Sequence, residues 1–304
     1  MAEFVQRDFL DMDVLGRLSR LNMHARHPML GTVTGMHKSA ARGSSVEFAE
    51  YRKYVPGDDI KHIDWQVYAR TDRFYIKEFE ADTNLRCYIM LDCSASMDFE
   101  GEQGTKFAYA RKLAASLAYL LINQGDSVGL IAFNGKTVKD VPPRRSPSHL
   151  RNIFDVIDTL KPSGESAIVD TVHTLAEKVS RRAVIIVISD LFTEVEPLLD
   201  GFQHMRFRKH DLSVFHLLDK QEIDFQFDRP IRFVDMESTF DMITDPSMIK
   251  TAYQEALDNY LLAMKKGCRE FGVDYQRVLT SDGYERVLTS FLLERINKKT
   301  GASG

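Results

Sequence analysis

Two stretches of this sequence are apolar at every position and end in an aspartate. Residues 87–91 lead into Asp92, and residues 183–188 lead into Ser189-Asp190. A strand that is buried on both faces has this continuous apolar character, which is typical of parallel sheets covered by helices. The two runs therefore predict central strands of a parallel sheet, each followed by a carboxylate at its C-terminal end.

The rest of the chain after residue 85 alternates apolar runs with amphipathic, helix-like stretches. This alternation predicts an α/β fold with a doubly wound, mostly parallel six-stranded sheet and helices on both faces. Helices are expected at residues 106–124, 148–160, 167–180, 195–208, 248–271 and 284–297. Further strands are expected at residues 126–133, 137–141, 212–218 and 273–279. We expect strand 137–141 at the sheet edge and stopped by Pro142-Pro143, because proline cannot donate to a strand ladder.

The pattern also predicts how the chain is divided. Residues 1–82 lack the regular alternation and are interpreted as an N-terminal extension, partly β and including a helix within residues 8–22. Residues 83–300 form the predicted α/β domain. Within it, aromatic and charged residues alternate around Arg229-Pro230, which indicates a β-hairpin insertion at about 221–245.

Composition narrows the class of protein. A formal net charge of −4 with 28% charged residues gives no reason to expect nucleic acid or an anionic membrane as partner. Cys87 and Cys93 lie on one predicted strand, roughly 20 Å apart at about 3.3 Å per residue, too far for a disulfide. No signal-peptide pattern or spanning apolar segment is evident, so we expect a cytoplasmic protein with free thiols and no membrane insertion. The sequence does not indicate the oligomeric state.

Asp92, Ser94 and Ser96 follow the first apolar run at intervals of two residues. One carboxylate and two hydroxyls at the end of a strand supply three hard oxygen ligands, which suit a divalent cation such as Mg²⁺. The same residue types are also favoured as helix caps, so this stretch alone leaves a purely structural role open.

A second and a third loop are expected to join this site. In a doubly wound sheet, ligands bind at the C-terminal ends of the strands where the strand order reverses, which would bring Asp92 and Asp190 together. Ser166 lies between Gly164 and a predicted helix start. The hypothesis is therefore a Mg²⁺ site formed by Asp92, Ser94, Ser96, Ser166 and Asp190, with one coordination position open to a partner's carboxylate.

These motifs resemble those of known protein families. Asp-x-Ser-x-Ser, the middle hydroxyl residue and the later Ser-Asp resemble the metal-ion-dependent adhesion site of von Willebrand factor A domains. Upstream residues sharpen the match to the bacterial domain of unknown function family 58, over about residues 42–295. They are Glu47-Phe48, Tyr51-Arg52, Tyr54, Gly57-Asp58, Ile63-Asp64-Trp65, Ala69-Arg70, Glu78 and Glu80.

The resemblance implies a von Willebrand factor A-like, Rossmann-like domain that binds proteins through Mg²⁺ and does not catalyse a reaction. Mn²⁺ or Ca²⁺ could take the same oxygen ligands. It also implies a MoxR-type AAA+ ATPase, or a client of that ATPase, as the protein partner. One departure is Ser166, which stands where such sites often have threonine.

Two other functions stay open at this point. A metal-assisted hydrolase could use the same cation to activate water, although it would need a general base and no histidine lies in the predicted metal loops. Alternatively, the protein is a scaffold with an unused metal site that binds its partners through another face.

Overall fold

The computed structural model describes residues 7–21, 23, 46–55, 63–81, 85–225, 231–234, 236–237 and 241–301. Contacts divide the chain into two compact units, the larger formed by Met1–His27 with Leu85–Gly304 and the smaller by Pro28–Asn84. Helix α1 (Met12–Leu18) belongs to the larger unit, whereas the sequence analysis grouped it with the rest of residues 1–82. Gly57-Asp58 and Arg229-Pro230 lie outside the described residues.

The smaller unit is partly β, as predicted. Strands β1 (Val46–Lys53) and β2 (Tyr75–Ala81) pair in antiparallel orientation. Between them lies helix α2 (Trp65–Thr71), which the sequence analysis did not predict. This helix begins at Asp64, whose side chain accepts hydrogen bonds from the Gln66 and Val67 backbone N–H groups at 2.9 and 3.2 Å. The cap satisfies two donors that a helix start leaves unpaired.

The larger unit contains the predicted alternation. Its strands are β3 (Arg86–Asp92), β4 (Glu100–Gly101), β5 (Gly104–Thr105), β6 (Ser127–Phe133), β7 (Thr137–Arg144), β8 (Val184–Ser189), β9 (Asp211–Leu218), β10 (Ile231–Val234), β11 (Asp241–Thr244) and β12 (Asp274–Leu279). Its remaining helices are α3 (Lys106–Asn123), α4 (Pro147–Thr159), α5 (Ile168–Lys178), α6 (Val195–Phe207), α7 (Lys220–Asp224), α8 (Pro246–Glu270) and α9 (Tyr284–Gly301). Short helix α7 was not predicted.

The main sheet has six strands in the order β12-β9-β8-β3-β6-β7. All neighbouring pairs are parallel except β6 and β7, which confirms the predicted mostly parallel sheet. The chain runs from β3 outward to β6 and β7, then returns to the other side of β3 through β8. The strand order therefore reverses at β3 and β8, the position where α/β sheets bind ligands.

Strands β10 and β11 pair in antiparallel orientation within residues 221–245, the range where a β-hairpin insertion is expected. Helices pack on the main sheet, and one buried apolar layer joins β3, β8 and β9 to helices α5, α6 and α8. Cys87, Cys93 and Cys268 are buried free thiols. No helix in the described part of the chain has both the length and the apolar character needed to cross a bilayer.

The prediction that Pro142-Pro143 stops the edge strand was wrong. Strand β7 continues through both prolines to Arg144. Val128 pairs with Arg144 and Leu130 with Val141, so two prolines lie opposite the single residue Gly129. This is a β-bulge, which tolerates proline because its residues are not fully paired. In the described sheet β7 is also the edge strand, so no further strand requires the hydrogen bonds that proline cannot donate.

The bulge depends on the missing side chain of Gly129. A Cβ atom there would lie 2.7 Å from the Val141 carbonyl oxygen and 2.9 Å from the Pro143 nitrogen, both backbone atoms. We expect Gly129→Ala to displace β7 and to lower the free energy of unfolding by roughly 1 to 3 kcal/mol, the usual cost of overpacking.

Gly16→Ala is the matched control, because a Cβ atom at this helical position meets nothing within 4 Å. Alanine should stabilise helix α1 by up to about 1 kcal/mol. Denaturant unfolding of both variants measures the two effects. Equal stability of Gly129→Ala and the wild type would show that β7 can move away without loss.

Candidate functional site

The C-terminal edge of the sheet brings two of the predicted site residues together. Strand β3 ends in Asp92, and the neighbouring strand β8 ends in Ser189, directly before Asp190. Leu91 pairs with Ile188, so Asp92 and Ser189 lie opposite one another at the strand ends. Both carboxylates thus lie where the strand order reverses.

Asp92 is fully buried and is surrounded by hydrogen-bond donors. Its Oδ1 atom accepts a hydrogen bond from the Ser94 backbone N–H at 2.9 Å. Its Oδ2 atom accepts from the hydroxyls of Ser166 at 3.1 Å and Ser189 at 2.6 Å. The Ser94 hydroxyl in turn lies 3.1 Å from that of Ser96. The two hydroxyl-bearing loops therefore meet at one carboxylate, and Ser189 joins them although the sequence analysis did not include it.

Backbone hydrogen bonds fix the loops that carry these side chains. The Ala95 N–H donates to the Gly164 carbonyl at 2.8 Å, and the Ser163 N–H donates to the Cys93 carbonyl at 2.9 Å. Gly164 adopts a left-handed conformation with φ of 75°, which glycine reaches without a steric penalty. This turn brings the segment before Ser166 alongside the Asp92 loop.

A buried lysine neutralises part of the acidic site. The Lys106 ammonium at the start of α3 donates to Asp190 Oδ2 at 2.8 Å and to Glu222 Oε1 at 2.9 Å. The side chains of Lys106 and Asp190 are each only 3% exposed. Glu222 is held in place because its other oxygen accepts from the Asp219 backbone N–H at 2.7 Å in a capping box. Asp190 therefore has a cationic partner within the protein.

The Asp92 carboxylate differs from that of Asp190 in this respect. Among the residues that the structure describes, no lysine or arginine forms an ion pair with its carboxylate, whose neighbours are hydroxyls and a backbone amide. Burial, together with the negative charge of Asp190, raises the pKa of Asp92 from 3.8 to about 7. The ionised carboxylate is thus disfavoured until a positive charge approaches it.

The oxygen groups around Asp92 fit a hard divalent cation. Carboxylate and hydroxyl oxygens are suitable ligands for Mg²⁺, which often also retains several water molecules. The charges fit as well, because Asp92, Asp190 and Glu222 carry three negative charges when ionised, against the single positive charge of Lys106. Within the described ranges, no three or more His, Cys, Asp or Glu side chains form a metal-binding group, so any cation here would depend on the serines.

One histidine close to the site is already engaged. His216 on β9 pairs in register with Ser189 and is buried. Its Nδ1 atom lies 2.6 Å from the Tyr275 hydroxyl, and its ring also hydrogen-bonds the Asp190 backbone. Burial lowers the pKa of His216 to about 4, so the ring is neutral near pH 7. It is not positioned as a free general base.

Sequence reasoning missed Ser189, Lys106, Glu222 and Glu237 as parts of this region. Two of them left a signal. Ser189 directly precedes Asp190, and Lys106 continues the buried face of α3 at a helical spacing from Ala110. The sequence contains no such signal for Glu222 and Glu237, because they lie on segments distant in the chain from the residues that they contact. The Glu237 carboxylate accepts a hydrogen bond from the Ser166 backbone N–H at 3.1 Å.

Several known proteins resemble this chain. The uncharacterized protein Rv1480 of Mycobacterium tuberculosis is 26% identical over 222 residues, which cover 71% of this chain and 69% of that protein. The uncharacterized protein YeaD of Bacillus subtilis is 26% identical over 132 residues, covering 43% of this chain and 30% of YeaD.

Solved structures are similar at lower identity. The hypothetical protein BatB from Bacteroides thetaiotaomicron is 15% identical with a TM-score of 0.48, covering 70% of this chain and 100% of the BatB chain. The von Willebrand factor A domain of SpRpn10 is 13% identical with a TM-score of 0.43, covering 68% of this chain and 94% of that chain.

A family match extends over most of the chain. The family described as "Protein of unknown function DUF58" matches residues 50–260 of the 304 residues, a range that contains the upstream Tyr51-Arg52 motif, β3, β8 and the loops around Asp92. The resemblance identified from the sequence motifs is thereby confirmed, and this chain belongs to the domain of unknown function family 58.

Proposed function

We propose that this protein is a cation-dependent protein-interaction module and not an enzyme. The observation that carries the proposal is the buried Asp92 carboxylate, which is surrounded by hydroxyls and, among the described residues, has no cationic partner. An isolated buried charge is costly, so groups of this kind are normally paired or bind metal.

Asp92, Ser94, Ser96, Ser166 and Asp190 would hold Mg²⁺, with Mn²⁺ or Ca²⁺ as other candidates for the same oxygens. The bound cation would supply a Lewis-acidic position for a carboxylate of the partner. In this proposal the protein residues hold the cation in a fixed position. Lys106 offsets one of the two negative charges of Asp190 and Glu222, and a bound divalent ion would offset two more negative charges of the site.

The proposed partner is a MoxR-type AAA+ ATPase or one of its clients, in the cytoplasm. The identity of this partner is supported by the family resemblance. The dependence on a cation has a physical reason, since a carboxylate on a partner would be repelled by Asp92 and Asp190 until a cation is bound. Metal occupancy would thus be required for recognition.

Without a bound metal, the stability of the folded protein should depend on pH through the titration of Asp92. Between pH 3.8 and about 7, the folded protein keeps a proton on Asp92 that the unfolded chain has released. In chelator, stability should therefore fall as the pH rises through this window and level off above it. Asp92→Asn removes this titration, so at pH 8 in chelator the variant should melt at a higher temperature than the wild type.

Added Mg²⁺ should reverse that order. At a hundredfold excess over Kd, binding to the folded state contributes about 2.7 kcal/mol, or roughly 5 to 10 °C in Tm. The wild type should gain this increase at pH 8, whereas Asp92→Asn should not. Asp126→Asn is the control, because Asp126 is also buried but lies at the opposite end of the sheet, where it accepts from the Leu85 N–H at 2.8 Å. The same Mg²⁺ response in the wild type and Asp92→Asn would exclude this site as the cause.

Partner binding should depend on the same residues. The MoxR-type ATPase of the same organism, purified and immobilised, should bind the wild type and Asp126→Asn but not Asp92→Asn or Ser94→Ala. The test compares variants in the presence of Mg²⁺, because the ATPase itself needs Mg²⁺ and a chelator would affect both proteins. Undiminished binding of Asp92→Asn would place the interaction on another face, as the scaffold alternative requires. Hydrolysis of a phosphoester that is lost in Asp190→Asn would favour an enzyme instead.

A further inference from the structure

An exposed aromatic side chain lies on the loop that follows Asp190, one of the residues of the proposed cation site. Phe192 follows Asp190 by two residues and is 70% exposed, whereas Leu191 between them is fully buried. Exposure alone does not mark a site, since single apolar residues are common on protein surfaces. Phe207, at the far end of α6, is 83% exposed.

What distinguishes Phe192 is the backbone that presents it. Leu191 adopts a left-handed conformation with φ of 53°, although it is not glycine. For an L-residue with a side chain this conformation is strained, and such strain persists only where surrounding contacts enforce it. The turn places Leu191 in the core and Phe192 in solvent.

Four hydrogen bonds enforce the turn. The Leu191 N–H donates to the Ser189 hydroxyl at 2.9 Å, and the Phe192 N–H donates to Asp190 Oδ1 at 3.4 Å. The Leu191 carbonyl accepts from the Thr193 N–H at 2.7 Å and from the Tyr260 hydroxyl at 2.5 Å. The exposed ring is therefore carried on a fixed backbone that shares Ser189 and Asp190 with the acidic site.

We infer that Phe192 is a specificity-determining contact of the interaction surface, and that the partner segment carries an apolar side chain close to its metal-binding carboxylate. The inference rests on the proposed function and deepens it. Aromatic anchors on rigid backbones contribute strongly to interfaces because little conformational freedom is lost on binding. The Phe192 backbone N–H lies 3.4 Å from Asp190 Oδ1, and two residues of extended chain span about 7 Å, so we expect the apolar side chain within about two positions of the acidic residue.

The test is selection of a displayed library of random heptapeptides on the immobilised full chain in Mg²⁺, with elution by chelator. For the wild type, the eluted pool should be enriched in aspartate or glutamate with an apolar residue within two positions. Phe192→Ser should retain the acidic preference and lose the apolar one. Phe207→Ser is the matched control and should select the same peptides as the wild type.

The binding of one enriched peptide, labelled and followed by fluorescence anisotropy, then measures how much affinity Phe192 contributes. Phe192→Ser should weaken its binding roughly tenfold or more, while calorimetry should give the same Mg²⁺ affinity as for the wild type. An acidic preference without an apolar neighbour in the wild type would overturn the inference while leaving the proposed function intact. An apolar preference that persists in Phe192→Ser would also overturn it. A pool without acidic enrichment would overturn both the inference and the proposed function.

Discussion

The buried carboxylate of Asp92 is the constraint around which this end of the molecule is arranged. It accepts hydrogen bonds from three serines that lie on three different segments, Ser94 through its backbone and Ser166 and Ser189 through their hydroxyls. Each donor satisfies part of the carboxylate, but none carries a charge. Burial of the ion therefore remains unfavourable, which the raised pKa of Asp92 expresses.

The contrast with Asp190 shows how specific this arrangement is. Asp190 is also buried, but the Lys106 ammonium, from the first position of α3, pairs with both Asp190 and Glu222. Asp190 is thus paired with Lys106, whereas no lysine or arginine of the described residues pairs with Asp92, which in the proposed function is neutralised by the bound cation. This division of roles would keep the site weakly charged when a divalent ion is bound, and repulsive to carboxylates when it is not.

The loop after Asp190 links the site to the surface beyond it. Its hydrogen bonds fix a left-handed Leu191, and the same turn exposes Phe192. In the proposed function, a cation held by acidic and hydroxyl groups alone would bind a partner's carboxylate with little regard to the residues around it. The exposed ring of Phe192 on a fixed backbone would help to distinguish one acidic segment from another.

The sequence by itself determined the α/β alternation, the mostly parallel six-stranded sheet and the family, because continuous apolar runs and helical spacing are local patterns. It also placed Asp92, Ser94 and Ser96 together, since they follow one strand.

Only the tertiary structure decided which residues lie opposite these three. The contact of Ser166 and Ser189 with Asp92, the ion pairs of Lys106, and the bulge that lets β7 pass through Pro142-Pro143 all depend on strand order and register. Those are set by packing between segments that are distant in the chain, and no local spacing encodes them.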